Sequence, residues 1–235
     1  MPSLAIIIPC YNEAERLQEN AFVHFIHKHT DVHIYFVNDG STDDTGNILT
    51  ALQKQSPSFS IISLQNNVGK GEAIREGMLQ LYLNYDYIGY LDADLSTSLV
   101  EFYKLYQKML SENVSIVFGS RIKKSDTVIE RSYSRHLIGR TIATMIDKKF
   151  KLGYYDTQCG AKIFSSKILK DIIEEPFYTK WFFDVELFIR IKNKTNKLDA
   201  LEIPLSVWRN VKGSKLNALS FATVIKELYI LLTKY

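Results

Sequence analysis

The chain has 235 residues, 46% of them hydrophobic and 23% charged, with 11 Gly and 5 Pro. That is enough for one well-filled domain and excludes a low-complexity chain. A net charge of +3 without basic–aromatic interleaving speaks against a nucleic-acid partner. Two cysteines, Cys10 and Cys159, make no disulfide framework, so a reducing, cytoplasmic setting is expected. No run approaches about 20 consecutive apolar residues, and the apolar start of "MPSLAIIIPCYNE" is too short for a signal peptide.

Taken in order, "LAIIIP" (Leu4–Pro9) predicts a β-branched strand, and "YNEAERLQENAFVHFIHKH" has helical spacing. Its histidines His24, His27 and His29, with His33 beyond, lack a downstream Cys or His pair and read as a solvated helix end, not a zinc site. "VHIYFVND" (Val32–Asp39) predicts a second strand. Ser41-x-x-Asp44 then reads as a cap signal for the helix in "STDDTGNILTALQKQ". "FSIISLQ" (Phe59–Gln65) is a third strand, and "NNVGKGEAIREGMLQLYLN" a glycine-bearing turn feeding a helix. "YDYIGYLDAD" is a fourth strand, "TSLVEFYKLYQKMLSEN" a helix and "VSIVFGSR" (Val114–Arg121) a fifth strand. The second half is less regular: "DTQCGAKIFSSKILKDIIEE" reads as turn, short strand and helix, and "WFFDVELFIRIKN" as a helix. "ALEIPLSVW" reads as a last strand, and "LNALSFATVIKELYILLTKY" as an amphipathic tail helix.

Strands alternating with helices predict an α/β fold with a mostly parallel central sheet flanked by helices. Such sheets bind ligands at the carboxyl ends of their strands. Five predicted strand ends carry polar groups: Asn12 and Glu13, Asp39, Asn66, Asp92 with Asp94, and Arg121. On an extended chain residues two apart point the same way, so Asp92 and Asp94 are expected to face one site just past the strand. Gly69-Lys70-Gly71 fits neither the P-loop nor the dinucleotide fingerprint. What remains is a nucleotide-binding sheet with a lysine loop and a carboxylate pair suited to a hard divalent cation shared with substrate phosphates.

"IIIPCYNEAERL", "VNDGSTDDT", "NVGKGEAIREGM", "YLDADLST" and "GSR", in this order, resemble the signature set of family-2 inverting glycosyltransferases with the GT-A fold. "DTQCGAKIF", "WFFDVELFIR" and "GSKLN" are similar to the dolichyl- and polyprenyl-phosphate sugar synthases, the dolichyl-phosphate glucosyltransferase branch in particular. Ala161 stands where those enzymes commonly carry an aromatic. The resemblance implies residues 1–215 as one GT-A domain, followed by a helix over 216–235. It implies Pro9, Tyr11 and Glu13 around the nucleoside, Asp39 on the base, and Lys70 and Lys215 near the donor phosphates. Asp94 would hold Mg2+ or Mn2+, with Asp92 beside it on the ribose or donor sugar. The implied donor is a nucleoside-diphosphate sugar of the UDP-glucose type, with GDP-mannose as the alternative.

A hydroxyl acceptor needs a general base, for which Asp184 is the candidate, whereas a phosphate acceptor needs only cations to position it. Residues 121–151 hold nine Lys/Arg against three Asp/Glu, and Arg131 and Arg135 are expected to face the site with Arg121. A lipid-linked phosphate acceptor is therefore expected, with peripheral contact at the cytoplasmic membrane face through the basic stretch and the apolar side of the tail helix (Leu219, Val224, Leu228, Leu231 and Leu232). Two other classes stay open: a sugar-nucleotide pyrophosphorylase, and a non-catalytic sugar-nucleotide-binding protein.

Overall fold

A computed structural model describes residues 2–125, 127–130, 133–209 and 221–235, with the backbone alone at 133–138 and 221. In chain order the first half runs β1 (Leu4–Cys10), α1 (Glu19–Lys28), β2 (Val32–Asp39), α2 (Thr45–Gln55), β3 (Phe59–Leu64), α3 (Lys70–Leu81), β4 (Tyr87–Leu91), α4 (Leu99–Glu112) and β5 (Ile116–Ser120). The second half runs β6 (Val128–Ile129), α5 (Tyr133–Phe150), β7 (Ala161–Ser165), α6 (Ser166–Leu169), α7 (Phe183–Thr195), β8 (Ala200–Pro204), β9 (Val207–Trp208) and α8 (Phe221–Lys234).

Seven strands form one sheet in the order β3-β2-β1-β4-β7-β5-β8, and β6 pairs with β9 in a separate ribbon. The unbroken apolar run of β1 has a physical reason: both of its faces are covered. Leu4, Ile6 and Ile8 pack with Phe22, Phe36 and Phe102 on one side, while Ala5 and Ile7 pack with Met78, Phe183 and Phe188 on the other. β1 has β2 on one flank and β4 on the other, all parallel. The chain leaves β1 toward β2 and β3 and returns to β4 on the opposite side, so a crevice opens at the carboxyl ends of β1 and β4. Residues 11–13 and 92–94 border that crevice.

The main sheet is mostly parallel, as expected, with β7 alone antiparallel between β4 and β5. Several other expectations need correction. α1 starts at Glu19 and not after β1, because Asn12 takes a left-handed backbone (φ 49) and the Glu13 carbonyl closes a turn on the N–H groups of Arg16 and Leu17. Ser41 does not cap α2; its hydroxyl accepts from the Asn12 N–H, and α2 begins at Thr45. The last strand is two, β8 and β9. The long helix α5 carries no clean helical stripe in its sequence, because its charges sit among its apolar residues.

The tail helix α8 packs on the domain: Leu231 is fully buried, and Val224 and Leu228 lie against the main core. Its expected apolar residue Leu219 falls outside the described residues. No helix among the described residues is long and apolar enough to cross a membrane.

Candidate active site

The crevice is built from loops that tie one another down. The Asn12 side-chain oxygen accepts from the Thr42 N–H at 2.8 Å, and Thr45 Oγ1 accepts from the Glu13 N–H at 2.8 Å. Asp43 joins the same two loops, accepting from Ala14 and from Thr45. Pro9, the last residue but one of β1, is half-buried, Tyr11 sits half-buried in the turn beyond the strand, and Glu13 is buried with an ion pair to Arg16.

Asp39, only 2% exposed, receives the N–H groups of Val68 at 2.7 Å and Gly69 at 3.0 Å, one on each oxygen. Both bonds run to the loop between β3 and α3. Asp39 fixes the loop that opens α3, and its remaining lone pairs are what a base could use. Gly69 has φ +96, a backbone that favours glycine, and it delivers Lys70 to the first turn of α3.

Asp92 and Asp94 both follow β4 on one border of the crevice. Asp92 lies 2.5 Å from the ammonium of Lys70, whose side chain is 42% exposed. Burial alone would lower the Lys70 pKa, but Asp92, Asp184 and Asp94 together outweigh it and raise it. Past Leu91 the chain leaves the extended form and turns left-handed at Leu95 (φ 50). Asp94 uses Oδ1 on the Ser96 N–H at 3.0 Å, and its Oδ2 has no hydrogen bond among the described residues. No group of three or more His, Cys, Asp or Glu could hold a metal ion among the described residues, the four clustered histidines included. One open carboxylate beside a second one fits a hard cation that takes its other ligands from substrate phosphates and water.

Three residues outside the expected set shape Asp92 and the layer beneath it. Gly160 leaves room for the Asp92 carboxylate, since a Cβ there would lie 2.2 Å from Asp92 Oδ2. Gly160→Ala is therefore expected to displace Asp92 and lower the turnover rate about 100-fold, the scale of a 1 Å misplacement. Steady-state rates beside an unchanged far-ultraviolet spectrum check this. Below, Lys162 is fully buried, and its ammonium donates to Asp184 Oδ1 and to the Cys159 carbonyl. The buried Tyr90 hydroxyl donates to the same Asp184 oxygen, and burial together with that carboxylate pushes its pKa well up. The visible signal for all three lay in "DTQCGAKIF" and in the tyrosine two residues before Asp92, but nothing local says that they meet.

Asp184, in the first turn of α7, is 5% exposed and faces this buried layer, where its ion-pair partner is Lys162. Arg121 is no free cation: it grips Asp156 through Nε and Nη2, both at 2.7 Å, and its guanidinium lies 5.6 Å over Trp208. Burial would lower its pKa, but Asp156 outweighs that and raises it. Arg140 donates to the Tyr155 carbonyl and stacks 3.7 Å over that ring, and Lys149 donates to the Leu232 carbonyl. The basic stretch is therefore partly internal structure and not one solvated face. Arg131, Lys215 and the side chain of Arg135 lie outside the described residues.

A family model described as Glycosyl transferase family 2 matches residues 5–173. The chain belongs to glycosyl transferase family 2. It is 29% identical over 92% of its length to a dolichyl-phosphate beta-glucosyltransferase of Dictyostelium discoideum, covering 69% of that protein. It is 30% identical over 91% of its length to the Homo sapiens protein of the same name, again covering 69% of it. Among solved structures, glucosyl-3-phosphoglycerate synthase from Mycobacterium tuberculosis in complex with uridine-diphosphate superposes with a TM-score of 0.71 at 18% identity, over 98% of this chain and 80% of that one. The same enzyme with Mn2+, uridine-diphosphate-glucose and phosphoglyceric acid gives 0.67 at 18%, over 97% and 80%. The fold of this family 2 glycosyltransferase is thus GT-A, as the resemblance implied. Membership sets aside the pyrophosphorylase and non-catalytic alternatives: the chain is a glycosyltransferase.

Proposed function

We propose that this glycosyltransferase moves a hexose, with inversion, from a nucleoside-diphosphate sugar of the UDP-glucose type to a polyprenyl or dolichyl phosphate. The observation that carries the acceptor class is the state of Asp184. Its Oδ1 already receives the Tyr90 hydroxyl and the Lys162 ammonium in a buried layer, so that oxygen is committed to internal donors and is not offered to an acceptor hydroxyl. A hydroxyl acceptor would need a base here, whereas an anionic phosphate would not. The names of the sequence relatives agree with a phosphate acceptor.

In this reading the loop of Pro9, Tyr11 and Glu13 borders the nucleoside, and Asp39 holds the β3–α3 loop against it. Asp94, with Asp92 beside it, would hold Mg2+ or Mn2+, which supplies charge neutralisation for the departing diphosphate. Lys70 anchors Asp92 and keeps a cation at the same place. An acceptor phosphate oxygen attacks the anomeric carbon from the face opposite the nucleoside diphosphate. The new C–O bond forms as the old one breaks, and the electron pair leaves on the terminal phosphate oxygen of the nucleoside diphosphate. Membrane contact belongs to the same proposal and rests on α8 and α5, where Ile225 (52% exposed), Tyr229 (68%) and Met145 (48%) stand out on the surface.

The test is radiolabel transfer from UDP-glucose and GDP-mannose, with Mn2+ present, to polyprenyl phosphate in liposomes and to soluble glycans. Label from UDP-glucose is expected in the lipid fraction, and the chain is expected to float with the liposomes. Label in the glycan alone would overturn the acceptor and return Asp184 to the role of base.

A further inference from the structure

We propose that Lys180 is a further phosphate-contacting residue of the transferase site, aimed there by two buried carboxylates. This rests on the nucleoside-diphosphate-sugar reading above. Lys180 is an exposed residue on the loop between α6 and α7, and it has no ion-pair partner among the described residues. Its neighbours on both sides are clamped. Fully buried Glu186 receives the N–H groups of Tyr178 and Thr179, both at 2.9 Å, and the Thr179 hydroxyl at 2.8 Å. On the other side Glu227 of α8, 8% exposed, receives the Trp181 N–H at 2.6 Å.

Hydrogen bonds from backbone N–H groups to buried carboxylates are strong and directional, so the backbone on either side of Lys180 has little freedom. The side chain they aim runs to the crevice. A Cβ on Gly69 would lie 3.9 Å from Lys180 Cδ, an ordinary van der Waals distance, so the lysine stem passes over the loop that Asp39 holds and Lys70 follows. Lys70 and Arg121 both lie near Asp92, but their charges are matched by Asp92 and Asp156 respectively. Lys180 brings to the same loop a positive charge that no carboxylate of the described residues neutralises. A phosphate group is the ligand such a cation suits, and the site offers two: the donor's diphosphate and the acceptor's phosphate.

The closing experiment uses the full chain with Lys180→Met and Lys180→Arg, and Lys54→Ala on the exposed side of α2 as a control. UDP binding in Mn2+ is measured by calorimetry, and kcat and KM are measured for donor and for polyprenyl phosphate. Lys180→Met is expected to weaken UDP binding about tenfold if the contact is to the donor, or to raise only the acceptor KM about tenfold if it is to the acceptor. Lys180→Arg should recover most of the loss, and the melting temperature should not change. A Lys180→Met chain equal to wild type in UDP affinity and both KM values overturns the proposal. A wild-type chain that neither binds UDP nor transfers sugar overturns the proposed function, and Lys180 falls with it.

Discussion

Asp94→Asn is expected to lower sugar transfer about a thousandfold while leaving the fold intact. A divalent cation neutralising a leaving diphosphate contributes several kcal/mol, and about 4 kcal/mol is a thousandfold in rate. Asn keeps the side-chain oxygen that accepts from the Ser96 N–H but loses the charge that holds the cation. The residue is half-exposed on the rim and takes no part in either core cluster, so thermal unfolding should move by no more than a few degrees. Initial rates across a Mn2+ titration decide the matter. Wild-type enzyme that keeps its rate in excess chelator would remove the metal from the mechanism.

The second large effect is on stability. Lys162→Met removes one partner of a buried ion pair and leaves Asp184 charged and nearly inaccessible beneath the site. Breaking such a pair costs about 3–5 kcal/mol, whereas replacing both partners is often tolerated. At roughly 2–4 °C per kcal/mol for a domain of this size, the melting temperature should fall by about 10 °C. The double variant Lys162→Met with Asp184→Asn keeps an acceptor for the Tyr90 hydroxyl and should recover most of the loss. Denaturant unfolding of the wild type, both single variants and the double variant gives the coupling between the two sites directly. Equal and additive losses would show that the pair is not the unit it is taken to be here.

The sequence by itself determined the elements whose signals are local. The apolar runs of β1, β2 and β4 end at polar residues, and the alternation of strands with α1, α2 and α3 makes them parallel, so Asn12, Asp39 and Asp92 had to gather on one rim. The Ser98–Glu101 start of α4 is equally local, the Ser98 hydroxyl accepting from the Glu101 N–H as a cap. The tail helix was legible as amphipathic, but what its apolar face covers was not, and Leu231 meets the protein's own core. Only the tertiary structure decided the partners of the charges. Lys70 meets Asp92, Arg121 meets Asp156, and Lys162 meets Asp184, all across long stretches of chain. The antiparallel entry of β7 between β4 and β5 places Gly160 under Asp92 and Lys162 beside Tyr90. A carboxylate's role follows from its neighbours, because burial, a nearby ammonium and donated hydrogen bonds set whether it is a base, a metal ligand or an anchor. Those neighbours are chosen by strand order, and no local pattern in this chain encodes the insertion of β7.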